Sequence, residues 1–203
     1  MIASLSHPRG VLAVAGACFL AVTAAVVALG SFPADAAVRD ALLGLATPGL
    51  LRALHVVNLA GSWQVLLPGT LLLFVVFPRA RTRWWLWPAL MVAAPLAEWS
   101  LKHVFMRQRP EAVSLSFPSG HSTAAAAFFG AVMYLCGSLP PRWRDTVRVL
   151  AGVMIVLVGL ARVILRAHWP SDVVAGFALG LALASVASLL AARAPDGGPP
   201  TNT

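Results

Sequence analysis

Long apolar stretches broken by short polar ones set the organisation of this 203-residue chain. The first apolar run, 11–29, follows Arg9 and reads as a membrane span. The motif Ala34-Asp35-Ala36 behind it mimics a signal-peptidase site, yet the run is longer than a secretory h-region, so the span is expected to stay uncleaved. Residues 37–57 mix Arg39, Asp40, Arg52 and His55 with Leu and Ala and break at Pro48-Gly49, which predicts short amphipathic helices at the membrane surface. Further spans are expected at 61–77, 84–104 (with Pro88 and Pro95 inside), 119–139, 147–165 and 171–191. Basic turns, Pro78 to Arg83 and Pro140 to Arg144, separate them. The reading is an all-α polytopic membrane protein, a six-transmembrane-helix bundle over 1–193, with a Pro- and Gly-rich tail, 194–203, expected to be disordered.

Composition supports this class. Hydrophobic residues make up 59% and charged residues 11%, outside the range of a soluble domain. A net charge of +8 would suggest nucleic acid in a soluble protein, but here the basic residues sit in short loops between apolar runs, as membrane anchors and anion ligands do. Nucleic acid is therefore not an expected partner. Cys18 and Cys136 both fall inside apolar runs, so neither a disulfide framework nor a metal site is indicated.

Orientation follows from the distribution of Arg and Lys. With the N-terminus inside, eight basic residues lie on inner segments and seven on outer ones; setting aside Lys102, Arg109 and Arg162 as ligands leaves eight against four. Both termini are thus expected in the cytoplasm of a cell with a bacterial-type inner membrane. The tryptophans fit two interfacial belts, Trp63, Trp99 and Trp169 outside and Trp84, Trp85, Trp87 and Trp143 inside.

Three polar groups fall on the outer side of this topology: Lys102-x6-Arg109-Pro110, Pro118-Ser119-Gly120-His121, and Arg162-x5-His168-x3-Asp172. A single charge at a span end is ordinarily a snorkelling anchor, but three groups on one side define a candidate site. A phosphoryl group in transfer carries spread negative charge, which Lys102, Arg109 and Arg162 can meet. The first turn of a helix starting near Gly120 adds free N–H groups, the missing side chain of Gly120 allows close approach, and Ser119 or Ser122 can cap or donate. A histidine four residues before an aspartate can be oriented by it, which makes His168 the candidate nucleophile and Asp172 its partner. His121 is then left to give and take the proton. Glu98, one turn before Lys102, is expected to pair with it. His55 and His103 read as structural, Arg107 and Arg166 as interfacial anchors or contacts to a second phosphate or lipid head group, and Glu111 has no assigned role.

These motifs resemble the type 2 phosphatidic acid phosphatase (PAP2) superfamily, whose pattern is K-x6-R-P, P-S-G-H and S-R-x5-H-x3-D. The first two stand complete, and the third lacks only its leading serine, replaced by Ala161. The resemblance is close over about 84–181. It implies a membrane phosphatase of lipid phosphates with His168, His121 and Asp172 as catalytic residues and Lys102, Arg109, Ser119, Gly120 and Arg162 around the phosphate. It further implies a phosphohistidine intermediate and neither a metal nor another cofactor. The serine that Ala161 replaces is expected to hydrogen-bond near the phosphate. Expected substrates are a polyprenyl diphosphate of the undecaprenyl type, a phosphatidylglycerophosphate or a phosphatidate, met on the outer, periplasmic or extracellular face. The alternative is a non-catalytic anion-binding transporter or scaffold built on the same basic cluster.

Overall fold

The computed structural model describes residues 7–30 and 33–193, and the expected C-terminal tail lies outside them. Nine α-helices follow in chain order among these residues: α1 (Pro8–Leu29), α2 (Pro33–Leu43), α3 (Pro48–Leu59), α4 (Trp63–Val76), α5 (Pro78–Thr82), α6 (Leu86–Phe105), α7 (Gly120–Leu135), α8 (Pro141–Ile164) and α9 (Pro170–Ala192). Proline opens α1, α3, α5, α8 and α9, where its missing N–H costs nothing because the first turn has no intrahelical acceptor for it. A 3-10 turn, Cys136–Ser138, ends the α7 segment.

The chain is an all-α integral membrane protein, and the six-span count holds only approximately. Among the described residues three helices, α1, α8 and α9, are long and apolar enough to cross a bilayer, or four if α2 and α3 form one broken span; those two are bent by 115°. The predicted surface helices of 37–57 are therefore a bent pair, and α3 packs along α8. Of the other expected spans, α4 has 14 residues and α7 has 16. Helix α6 has 20 residues, but Glu98, Lys102 and His103 make its last turns polar. A polar or short helix is tolerated at membrane depth where neighbours or a cavity, rather than lipid, surround its polar turns.

Helix α9 lies at the centre, against α1 on one side and α7 on another. Small residues allow the α7–α9 contact to be close. An added Cβ at Gly180 would stand 2.3 Å from the Thr123 carbonyl oxygen, and one at Gly176 would stand 2.7 Å from that of Ser119. Gly176-x3-Gly180 is thus a small-x3-small face on which the backbone of α7 rests. Below it, Leu66, Leu73, Leu86, Trp87, Leu90, Ala127 and Leu135 from α4, α6 and α7 form the largest apolar cluster. Helix α1 joins through Phe19, 6.4 Å from Phe117 between ring centroids. The outward faces carry Val14, Leu20, Val27, Leu71 and Val75, all well exposed and suited to lipid contact. Trp87 does not belong to the expected interfacial belt: it is buried in the core, where its indole N–H donates to Ala80 O at 3.1 Å. Its bulk fills the space between α5, α6 and α7, which is why the sequence rule for interfacial tryptophan fails there.

Candidate active site

The three motifs meet at one end of the bundle around a cavity of about 660 Å³ lined by Lys102, Arg109, Gly120, His121, Arg162 and His168, together with Asn58 and Glu98. Lys102 comes from the last turn of α6 and Arg162 from the last turn of α8. His121 stands in the first turn of α7, and Asp172 in the first turn of α9. The α3–α4 turn closes over His121 because Gly61 has no side chain; a Cβ there would lie 2.9 Å from the His121 carbonyl oxygen.

Local hydrogen bonding places His168 and Asp172. Three N–H groups close the end of α8: Arg166 onto Val163 O, and Ala167 and His168 onto Arg162 O, at 2.9, 3.1 and 3.2 Å. The turn brings His168 back over Arg162. In Trp169-Pro170-Ser171-Asp172 the carboxylate reaches back to cap α9, with Asp172 Oδ2 accepting from the Trp169 N–H at 3.0 Å. The same oxygen lies 3.5 Å from His168 Nδ1, a close approach without a formed hydrogen bond. Burial pushes the His168 imidazole down from 6.5 to about 4; Asp172 opposes this, and Arg162 and Arg109 add to it. A neutral imidazole is the form that can attack phosphorus.

Arg162 is nearly buried, its Nη1 donating to Asn58 Oδ1 at 2.9 Å. Among the described residues its Nε has no hydrogen-bond partner, and no carboxylate pairs with it. A buried guanidinium facing a cavity with donors to spare is suited to an anion. Arg109 lies on the same wall and donates from Nε to Leu115 O at 3.3 Å. Lys102 forms an ion pair with Glu98, as the spacing predicts. The carboxylate also rests against Gly120, so the close approach that Gly120 permits is used by Glu98: an added Cβ would be 2.9 Å from its Oε1.

Ser119 is set back from the cavity wall. It is fully buried, its N–H donates to Asp172 O at 3.0 Å, and its hydroxyl accepts from Ser122 Oγ at 3.0 Å. It ties α7 to α9. Ala161 likewise turns away from the cavity and packs with Leu54 and Ile164 between α3 and α8.

Arg107 is neither an interfacial anchor nor a free phosphate contact. It is nearly buried, with Nη1 donating to Asp172 Oδ1 at 2.6 Å and Ser171 Oγ at 2.7 Å, and Nη2 donating to Asp35 Oδ2 at 2.7 Å. Asp35 in turn accepts from the Ser171 N–H at 2.8 Å and hydroxyl at 2.5 Å. Asp35, which the sequence placed only in a signal-peptidase-like triplet, therefore belongs to the support of Asp172. Arg166 is exposed and pairs at 3.0 Å with Glu111, which also pairs with Arg39. His55 and His103 bond carbonyl oxygens one turn earlier in their own helices, at 3.1 and 2.7 Å. Trp169 is half-buried; its indole N–H donates to Gln108 O at 3.3 Å and its ring lies beneath Arg39 and Arg107.

The PAP2 superfamily model matches residues 83–195, more than half of the chain. The chain belongs to the PAP2 superfamily. Among PAP2 relatives, phosphatidylglycerophosphatase B of Bacillus subtilis is 42% identical over 92 residues, which is 41% of this chain and 45% of that protein. This chain thus matches less than half the length of that relative. The decaprenylphosphoryl-5-phosphoribose phosphatase of Mycobacterium tuberculosis is 31% identical over 164 residues, 74% of this chain and 84% of that one. The crystal structure of a transmembrane PAP2-type phosphatidylglycerolphosphate phosphatase from B. subtilis superposes with a TM-score of 0.77 at 28% identity, covering 88% of this chain and 94% of that one. PAP2 membership and the all-α membrane fold thus agree, and Lys102, Arg109, Gly120, His121, Arg162 and His168 of the motifs share one cavity.

Proposed function

We propose that this PAP2 chain is a phosphatase of lipid phosphates or diphosphates acting through a phosphohistidine on His168. The observation that carries the reading is Arg162: nearly buried, without a carboxylate partner among the described residues, and sharing one cavity with Lys102, Arg109, His121 and His168. Names of the relatives support the substrate class, since each is a phosphatase of a lipid-linked phosphate.

In the proposed cycle Nε2 of His168 attacks phosphorus, forming a P–N bond as the bond to the lipid oxygen breaks. His121 gives its proton to that oxygen. Water then attacks phosphorus, its proton passes to His121, the P–N bond breaks and inorganic phosphate leaves. Asp172 holds the Nδ1 side of His168, while Lys102, Arg109, Arg162 and the free N–H groups at the start of α7 meet the charge that spreads over the phosphoryl oxygens. These cations supply the charge neutralisation, and the reaction is proposed to need no metal ion. The substrate is taken to be a polyprenyl diphosphate, a phosphatidylglycerophosphate or a phosphatidate, met on the outer face of an inner membrane with both termini in the cytoplasm.

Phosphate release from a panel of lipid monophosphates and diphosphates, with and without EDTA, tests the reading. Turnover should survive chelation and vanish in His168→Ala on every lipid. His121→Ala should lose about 10²- to 10⁴-fold on monophosphates, whose alkoxide needs the proton, and much less on diphosphates. Release by His168→Ala, or activity restored after EDTA only by magnesium, would overturn the mechanism. For the orientation, single cysteines at positions 111 and 81, in a chain freed of Cys18 and Cys136, should react and not react, respectively, with an impermeant thiol reagent in intact cells.

A further inference from the structure

A second cavity, of about 470 Å³, runs along the other half of the bundle, among the start of α1, the second half of α7 and the middle turns of α8 and α9. The helices fix that separation: Arg148 and Arg162 lie near opposite ends of α8, roughly 20 Å apart at 1.5 Å rise per residue. The walls are apolar, including Ile155, Phe177 and Leu181, whereas Arg79, Arg148 and Tyr134 bring polar groups to the lining. From there an apolar groove runs between α1 and α9, sharing Val11, Phe177 and Leu181 with the cavity.

The charges here are unbalanced. Arg79 forms no ion pair or hydrogen bond among the described residues. Arg148 lies 3.7 Å from Asp145, an exposed carboxylate shared with Arg144 at 3.3 Å, and against the Cys136 thiol; both are weak partners for a guanidinium, so Arg148 keeps donors for an anion. Neighbouring arginines are occupied by helix ends, Arg81 on Phe74 O and Arg83 on the carbonyls of Leu190 and Arg193. Two available guanidinium groups at an apolar cavity call for an anion, and the groove leading from it calls for a hydrocarbon chain. Inorganic phosphate would satisfy only the first demand, and a zwitterionic lipid brings, beside its phosphodiester, a cation that two neighbouring guanidinium groups disfavour.

We propose that this cavity and groove bind an anionic phospholipid in the leaflet opposite the active site, its phosphodiester held by Arg79 and Arg148 and one acyl chain lying between α1 and α9. The site is separate from the histidine cavity and needs no turnover.

Native mass spectrometry of the protein released from bilayers containing phosphatidylglycerol and phosphatidylcholine tests this. Wild type should retain phosphatidylglycerol in preference by about tenfold, given two arginines near the membrane surface. Arg79→Gln with Arg148→Gln should bring the two lipids to parity. Gly152→Leu should displace the lipid while keeping both arginines, since a Cβ there meets only the flexible end of Met133, at 3.4 Å, and a longer side chain fills the cavity. Arg162→Gln, in the active site, should keep the preference. Equal retention of both lipids by wild type, an unchanged preference in the double variant or in Gly152→Leu, or loss of the preference in Arg162→Gln would each overturn the proposal; the last would place the retained lipid in the active site.

Discussion

Arg107 donates to Asp172 at 2.6 Å inside the protein, and its other nitrogen holds Asp35 at 2.7 Å, so one guanidinium bridges two buried carboxylates. Asp172 therefore has one oxygen fixed by Arg107, while the other caps α9 and faces His168. The carboxylate has no freedom to turn away from the imidazole.

Removing Arg107 leaves two buried carboxylates without their shared cation. Arg107→Gln is expected to destabilise the protein by about 3 to 5 kcal/mol, as when one partner of a buried pair is lost. Arg107→Lys keeps the charge but loses the fork that spans both carboxylates, and should lower kcat with little change in KM. Denaturation in detergent and steady-state kinetics check the pair. Wild-type stability in Arg107→Gln, or a KM effect alone in Arg107→Lys, would show that the bridge does not position Asp172.

Glu98 places a negative charge on the wall of a cavity that otherwise presents cations. Glu98→Gln removes that repulsion from an incoming phosphate and also releases Lys102. Vanadate should then inhibit several-fold more tightly, because charges at this range interact appreciably even at an effective dielectric constant of about 20. Turnover should fall, since Lys102 no longer has a fixed direction. Weaker vanadate inhibition would mean that the orientation of Lys102 matters more for anion binding than the charge of Glu98.

Ala161 stands where the superfamily motif has serine, yet its side chain faces α3 and not the cavity. A hydroxyl there would bond to the carbonyl one turn back in α8. Ala161→Ser is therefore expected to leave kcat and KM unchanged. A clear rise in kcat would show that the hydroxyl reaches the phosphate.

His168 should titrate near 4 rather than 6.5, because burial and two arginines oppose its charged form. A lowered value means that the unfolded chain takes up this proton first as pH falls. The stabilising contribution of the neutral imidazole is full above about 6.5 and is lost progressively toward 4. Histidine-selective NMR in detergent, assigned with His168→Asn, should find a midpoint below 5 for this residue. A midpoint at 6 or higher would contradict a buried neutral nucleophile.

Much of the site was legible because its residues recur in short motifs at helix ends. Lys102 pairs with Glu98 at i,i+4, and Asp172 caps its own helix, both local effects that spacing reveals. Asp35 shows where local rules fail. Its i+4 neighbour is Arg39, the pair that helical spacing favours, but Arg39 pairs with Glu111 while Asp35 pairs with Arg107, far along the chain. Asn58 was missed for the same reason: its partner is Arg162, and a lone Asn at the end of an apolar helix carries no periodic signal. A buried acid in an apolar stretch was the available clue to Asp35, and the signal-peptidase resemblance of Ala34-Asp35-Ala36 concealed it.

The apolar segments, the prolines that open the helices and the three motifs could be read along the chain, because each depends on neighbours within a few residues. How many helices can span alone, that Trp87 is core and Ala161 faces α3, and that Arg107 joins Asp35 to Asp172 were settled by helix packing. Burial and ion pairing depend on which helices touch. In this fold that choice rests on the close approach of α7 to α9 at Gly176 and Gly180, a contact between segments that lie far apart in the chain.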